Sequence, residues 1–329
     1  MPDIIYQYNY FYLCIDIINQ NMTLQQLRYI VSIDQYRHFG KAAEACGLTQ
    51  STLSLMVKKL EEELDVILFD RDAHPVKPTE MGSKVIDKAR VVLYNAAQIT
   101  EMTRSEKMIL SGPLQLAMIS TVAPVLVPGL FKYIGDHAPA ISLQTKEMLS
   151  DTILDRLHKA EVDMGILSSP VGDPELLEIP LWTERYFAYV SDRDPAYARE
   201  VIPARSLIGR PVWIMKDGVR LLDTSSLPQS EALNYEHYFE GGRVGTLIQI
   251  VNDSGGLTMV PETHIDLILF SLQKNLRPIA DPELKRTICL AIRKDYIHES
   301  LLNVVIRAIK SIIPATLLTP VMREEYLRL

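Results

Sequence analysis

Residues 80–107, EMGSKVIDKARVVLYNAAQITEMTRSEK, read as one helix of about 28 residues, ~42 Å long. Thr79 is placed to cap it, and the tripeptide SGP at 111–113 ends it. Val85, Ala89, Val92, Ala96 and Ile99 recur at alternating spacings of four and three, a coiled-coil seam. A long helix with one apolar seam needs a partner, and a second copy of the chain is the expected one. The helix therefore divides the chain into a small part before it and a large part after it.

The small part holds three shorter helices. LQQLRYIVSIDQY from Leu24 places Leu24, Leu27, Ile30 and Val31 on one stripe, and FGKAAEAC repeats the pattern with Phe39, Ala42, Ala43 and Cys46. Gly47 supplies a turn, Thr49 a cap, and QSTLSLMVKKLEEEL runs on with Leu53, Val57, Leu60 and Leu64 inward. Small Ala42 and Ala43 let two helices cross closely, which a helix-turn-helix requires. The outward face of the second helix presents Gln50, Ser51, Ser54 and Lys58, with Thr52 beside them. Amide and hydroxyl groups at a helix start suit base edges, Gln50 first among them, and a lysine further along suits phosphate. Glu61, Glu62, Glu63 and Asp65 are expected at the far end, away from a groove. VILFDRDAHPVKPT then reads as two short strands around a proline-containing loop, a wing with Arg71, His74 and Lys77 near its tip. Arg37, before the first turn, completes the candidate DNA contacts.

The net charge of -7 is unusual for a nucleic-acid binder until the charges are located. In residues 22–60, Arg28, Arg37, Lys41, Lys58 and Lys59 oppose only Asp34 and Glu44, a local charge of +3. Three cysteines, Cys14, Cys46 and Cys289, are an odd count without metal spacing and fit a reducing cytoplasm. Apolar runs such as VAPVLVPGLF break well short of the ~20 residues that span a bilayer. The first 21 residues lack the basic region and cleavage site of a signal peptide and read as an appended segment.

After SGP the chain alternates strands with helices. PLQLAMIS, AISLQTKEM and VDMGIL are strands around helices at APVLVPGLFKYIGDH and SDTILDRLHKAE, giving βαβαβ. LEIPLWTERYFAYVS is too long for one strand and is expected to cross into a second lobe holding PVWIMK, a helix near GTLIQIVN and GLTMVP. The segment from Leu276 through RTICLAI returns to the first lobe, closed by ESLLNVVIRAIKSII. Two lobes joined by two crossings make a hinged cleft. Ser120 and Thr121, Ser150, Gly218 to Arg220, and Thr246 fall at strand-to-helix junctions on one edge, where hydroxyls and backbone N–H groups suit an anionic oxygen. Any one of them alone is an ordinary helix cap.

RHFGKAAEACGLTQSTLSLMVKKLEEELDVILFDR followed by KPTEMG resembles the DNA-binding domain of LysR-type transcriptional regulators, and the likeness runs from Met22 to about Pro314. The resemblance implies an N-terminal winged helix-turn-helix, mainly α, with a long linker helix, then an α/β two-lobed periplasmic-binding-protein-like effector domain. The expected division is an extension at 1–21, the winged helix-turn-helix at 22–79, the linker helix at 80–110 and the effector domain at 112–318. Within it, lobe I takes about 112–183 and 285–318 and lobe II about 184–284, with a tail at 319–329. The implied partners are double-stranded DNA, the chain itself as dimer and tetramer, a small-molecule effector and RNA polymerase, with no membrane. One departure is Ser51, where the family usually has proline; serine gives up rigidity and gains a donor.

Within that family, ISTVAPVLVP, EMLSDTILDRLHKAEVD and MKDGVRLLD are similar to segments of the hydrogen-peroxide-responsive, OxyR-like branch. That branch implies a reactive cysteine after a DGH-like turn and a second cysteine to pair with it. An ungapped count puts these positions on Arg220 and Gln229, with Val219 in place of the histidine. Disulfide sensing of peroxide is therefore excluded, while Thr121, Ser150 and Asp223 still match the pocket of that branch. Arg220 is open to three readings: a bidentate hook for an anionic effector, a rim ion pair with Asp217 or Asp223, or a fixed strut in a ligand-independent regulator.

A solute receptor and an enzyme are the competing classes. The first 110 residues speak against the former. Against the latter, GGRVG lacks the glycine spacing of a dinucleotide loop, and His38, His137, His158 and His264 are scattered as surface or packing residues. No catalytic residue, metal or cofactor is expected.

Overall fold

The computed structural model describes residues 22–105, 111–207, 212–215, 237–239, 243–296 and 299–323. Two of the sequence features lie outside these residues: the extension with Cys14, and the segment that carries Gly218, Val219, Arg220, Asp223 and Gln229. The chain divides into two compact units between Thr103 and Arg104.

The N-terminal unit contains α1 (Leu24–Tyr36), α2 (Phe39–Ala45), α3 (Gln50–Leu64), β1 (Phe69–Asp70), β2 (Lys77–Pro78) and α4 (Glu80–Ser105). A capping box starts α1, in which the Thr23 hydroxyl accepts from the Gln26 amide and the Gln26 side chain accepts from the Thr23 amide. Ala42 and Ala43 are buried between the helices, and Ser32 Oγ donates to the Ala42 carbonyl at 3.3 Å. Cys46 is not on the buried stripe of α2; it is the C-cap residue and only partly buried, because the helix ends one residue earlier. Thr79 Oγ1 accepts from the Gly82 amide at 2.9 Å and donates to the Ile67 carbonyl at 2.7 Å, joining the start of α4 to the wing. A Cβ on Gly82 would overlap the Leu68 carbonyl oxygen, so only glycine allows this close approach.

The α4 seam divides in two. Ala89, with neighbouring Ile86, is buried in the core of its own unit and Val85 packs against it, whereas Val92 is 43% and Ile99 65% exposed. The N-terminal half of the helix is thus occupied within the chain, and the apolar surface that remains lies further along.

The C-terminal unit begins with β3 (Gly112–Met118), α5 (Ala123–His137), β4 (Ile141–Glu147), α6 (Ser150–His158) and β5 (Met164–Ser168). The three strands are parallel in the order β4-β3-β5, as βαβαβ units require. A Cβ on Gly165 would come within 2.5 Å of Ile153 Cγ2, so the glycine lets α6 lie flat on β5. Next comes β6 (Leu176–Val190), a single strand of 15 residues. The expectation that this stretch is too long for one strand is corrected: the strand stays continuous because each half has its own partners.

Its first half pairs with β12 (Lys285–Arg293), and its second with β10 (Leu257–Pro261) and β11 (Leu276–Ala280). β7 (Ile202–Pro203), β8 (Val212–Met215) and β9 (His237–Phe239) complete the second lobe's sheet, and α7 (Val244–Ser254) packs on it. β11 still pairs within the second lobe, so the return crossing falls at residues 281–284. After the short α8 (Phe270–Gln273), α9 (Glu299–Ile312) closes the first lobe with one buried face from Leu301 to Ile309. Residues 319–323, the start of the expected tail, instead dock on β6. Thr319 Oγ1 donates to the Pro180 carbonyl at 2.7 Å, and Met322 in α10 (Pro320–Arg323) is fully buried.

Candidate DNA interface and effector cleft

Gly47, at φ +70°, turns the chain between α2 and α3, and Thr49 Oγ1 caps α3 by accepting from the Thr52 amide at 3.2 Å. Leu53, Val57 and Leu60 bury the inner face. Gln50, Ser51 and Lys58 are exposed on the rest of the helix, with Thr52 and Ser54 half-buried. The Ser51 and Thr52 hydroxyls lie 3.0 and 2.8 Å from Thr49 Oγ1, so both share the capping oxygen. Lys58 sits 3.6 Å from Glu62 one turn on. Leu55, at the centre of this polar face and 64% exposed, is absent from the sequence-derived set; its spacing of four from Ser51 and three from Lys58 is the signal that finds it.

The wing is held to α3 by Glu61. Its carboxylate accepts from the Leu68 amide at 2.8 Å and the Phe69 amide at 3.4 Å and pairs with Arg71 at 2.8 Å. The expectation that all four acidic residues lie away from the interface is corrected for Glu61, whose position one helical turn past Val57 points it at β1. Arg71 is likewise not a free tip residue. Its guanidinium donates to Glu61 and, at 3.2 Å, to Ser54 Oγ, and lies over the Phe39 ring. His74 and Lys77 are exposed on the wing. Arg37 is the left-handed C-cap of α1, at φ 49°, paired with Asp34 at 2.7 Å; Asp34 also holds Arg90 of α4 at 2.7 Å. Gln50, Arg37, Lys41, Arg71 and His74 converge on one concavity of about 610 Å³ that opens between α1, the start of α3 and the wing. Three cations around it suit a phosphate backbone.

In the C-terminal unit the cleft residues have different fates. Thr121 is buried, and its hydroxyl accepts from Arg286 Nη1 at 2.8 Å. Arg286 also donates through Nε to Glu184 at 2.8 Å, and the paired side chains are 1% and 0% exposed. The other Glu184 oxygen accepts from the Thr263 amide at 3.0 Å and hydroxyl at 2.6 Å. A buried ion pair therefore joins the middle of β6, where that strand passes between the lobes, to the start of β12, just after the return crossing. His264 packs beside it, and burial, reinforced by the Arg286 charge, pushes its pKa down to about 4. Ser120 and Ser150 are half-buried, and Ser150 is the first residue of α6, not its cap. Thr246 is exposed, but the free backbone N–H expected at this junction is corrected: its amide donates to the Arg243 carbonyl at 2.9 Å, which leaves its hydroxyl to face a ligand.

An open cavity of about 520 Å³ lies instead at the strand ends beside α5, lined by Met118, Pro124, Val127, Lys146, Glu147 and Arg243. Arg243, the N-cap of α7, reaches across the lobes to within 3.7 Å of Glu147. Neither cysteine in the described residues is placed for chemistry: Cys289 is fully buried, which drives its thiol pKa upward, and Cys46 packs against the α1–α3 core. Among the described residues no cluster of His, Cys, Asp or Glu could hold a metal, and no helix is long and apolar enough to cross a membrane.

Comparisons with known proteins cover both units. Residues 24–83 match the bacterial regulatory helix-turn-helix proteins of the LysR family, and residues 109–312 match the LysR substrate binding domain. A hydrogen peroxide-inducible genes activator of Haemophilus influenzae is 28% identical over 282 residues, 83% of this chain and 91% of its own length. The DNA-binding transcriptional dual regulator OxyR of Escherichia coli is 29% identical over 279 residues, 83% of this chain and 90% of its own. A full-length OxyR variant from Pseudomonas aeruginosa superposes with a TM-score of 0.77 at 28% identity, covering 91% of this chain and 98% of that one.

Proposed function

The chain belongs to the LysR family of bacterial regulatory helix-turn-helix proteins, and from that premise we propose that it binds operator DNA as a dimer and controls transcription in the cytoplasm. The single observation that carries the reading is the capped helix α3, whose polar face meets the concavity bearing Arg37, Lys41 and Arg71 in a chain of net charge -7. Gln50, Ser51, Thr52 and Ser54 read base edges in the major groove. Lys58, Arg37, His74 and Lys77 hold phosphates, and Arg71 positions the wing through Glu61. Exposed Val92 and Ile99 on α4 provide the dimer seam, and dimers pair into tetramers that meet RNA polymerase at the promoter.

A small anionic effector in the inter-lobe cleft biases the spacing of the DNA-binding pairs, with Ser120, Thr121, Ser150 and Thr246 at its edge and Gly218, Val219, Arg220 and Asp223 contributed by the segment outside the described residues. Peroxide is not that signal through a disulfide, because Arg220 and Gln229 stand where the count places the two thiols. A second reading, regulation without any ligand, is favoured by the Thr121 hydroxyl being engaged by Arg286.

Gel shifts with Gln50→Ala and Lys58→Ala test the DNA reading. Each should weaken binding, Lys58→Ala with a shallower salt dependence. Unchanged binding by both would refute the assignment of α3.

A further inference from the structure

The outward face of α3 carries one residue that phosphate and hydrogen-bond chemistry does not absorb. With Leu53, Val57 and Leu60 buried, a rotation of about 100° per residue puts Leu55 diametrically opposite the core-facing side. It is 64% exposed, one turn after Ser51 and one turn before Lys58, and Met56 beside it is 36% exposed. Its polar neighbours are in part committed inside the protein: Ser51 shares the Thr49 oxygen at 3.0 Å, and Ser54 accepts from Arg71 at 3.2 Å. The residue at the centre of the face that α3 turns away from the core is therefore an isobutyl group.

From this placement we infer that Leu55 is a specificity-determining residue that reads a thymine methyl group in each half-site, with Met56 flanking the contact. The inference rests on α3 being the recognition helix. The major-groove edge of a base pair offers hydrogen-bond donors and acceptors and a single apolar group, the C5 methyl of thymine. A leucine pressed against a donor or acceptor leaves that group without water or a partner, a penalty that falls on every base pair lacking the methyl. Against the methyl, the same side chain removes apolar surface from water on both partners. Leu55 thus selects thymine both by attraction and by exclusion, where a serine or glutamine would tolerate several bases.

The test uses the full-length chain and randomised duplex DNA to obtain its preferred site, then replaces each thymine in turn by deoxyuridine, which removes only the methyl group. One thymine per half-site should be sensitive, with wild-type affinity falling roughly fourfold for each half-site methyl removed. Leu55→Ala, an exposed substitution that leaves the core intact, should bind the thymine and deoxyuridine duplexes within about twofold of one another. Leu55→Met should keep most of the wild-type discrimination. A wild type that selects a site yet is indifferent to every methyl removal overturns this inference alone, as does undiminished methyl sensitivity in Leu55→Ala. A wild type that enriches no sequence overturns the DNA-binding reading and this inference with it.

Discussion

Replacing Glu184 by glutamine keeps the side chain's shape and removes its charge, at a point sealed from bulk solvent. One carboxylate oxygen faces Arg286 Nε at 2.8 Å, and the other faces the Thr263 amide and hydroxyl at 3.0 and 2.6 Å. An amide cannot satisfy both sides, because its NH2 end must face either the guanidinium or the Thr263 amide, donor against donor. Arg286, 1% exposed, is left as a buried cation facing the neutral Thr121 hydroxyl and the Tyr186 ring, with no carboxylate beside it. Breaking a buried pair in this way costs about 3–5 kcal/mol. In a domain of this size that lowers the melting temperature by about 10 °C. Both tryptophans, Trp182 and Trp213, belong to the C-terminal unit, and Trp182 is two residues from Glu184 on β6. Tryptophan fluorescence during urea unfolding therefore reports this unit without interference from the DNA-binding one. The double variant Glu184→Leu with Arg286→Met should recover much of the loss, since neither charge then needs burial. A Glu184→Gln loss below about 1 kcal/mol, or a double variant worse than the summed single losses, would refute the buried pair as the tie between the two crossings.

Two further perturbations act elsewhere. His264 holds a pKa of about 4 when folded against an ordinary 6.5, so the unfolded chain takes up the proton first as pH falls. Its contribution is complete above pH 6.5 and is lost between there and pH 4, about 2 kcal/mol of it by pH 5. The urea midpoint of the C-terminal unit should fall more steeply over that range in wild type than in His264→Leu; parallel curves would contradict the assignment. Gly82→Ala forces a Cβ onto the Leu68 carbonyl and should cost the N-terminal unit about 1–3 kcal/mol, read as earlier proteolysis of the helix-turn-helix. Unchanged protease resistance would show that α4 and the wing are not in close contact.

Local chemistry was the part written plainly in the chain. Thr49, Gly47 and the spacing of Leu53, Val57 and Leu60 define α3 within a few residues, because capping, turn and burial act over one or two turns. The βαβαβ order of β3 to β5 follows in the same way from alternating periods. What stayed hidden depends on distant partners. Glu184 and Arg286 are 102 positions apart, and nothing near either residue announces the pair. The continuity of β6 depends on β10, β11 and β12 arriving from later in the chain. The Val85 to Ile99 repeat is read correctly as apolar, but periodicity cannot say that Ala89 serves its own unit's core while Ile99 is left exposed. The tie of Glu61 to the wing, where the helix pattern places it away from the groove, is hidden for the same reason: its partners, Leu68, Phe69 and Arg71, lie past the turn.

The proposed regulation rests on sequence reading by α3. Its most direct test is capture of sheared genomic DNA by the full-length chain at about 0.15 M salt, an ionic strength at which nonspecific phosphate binding is weak, with Gln50→Ala in parallel. The expected result is a small set of enriched fragments sharing a partly palindromic motif with half-sites one helical turn apart, or a multiple of it, and loss of that enrichment in the variant. Fragments recovered only in proportion to their length, or a motif enriched equally by Gln50→Ala, would contradict it.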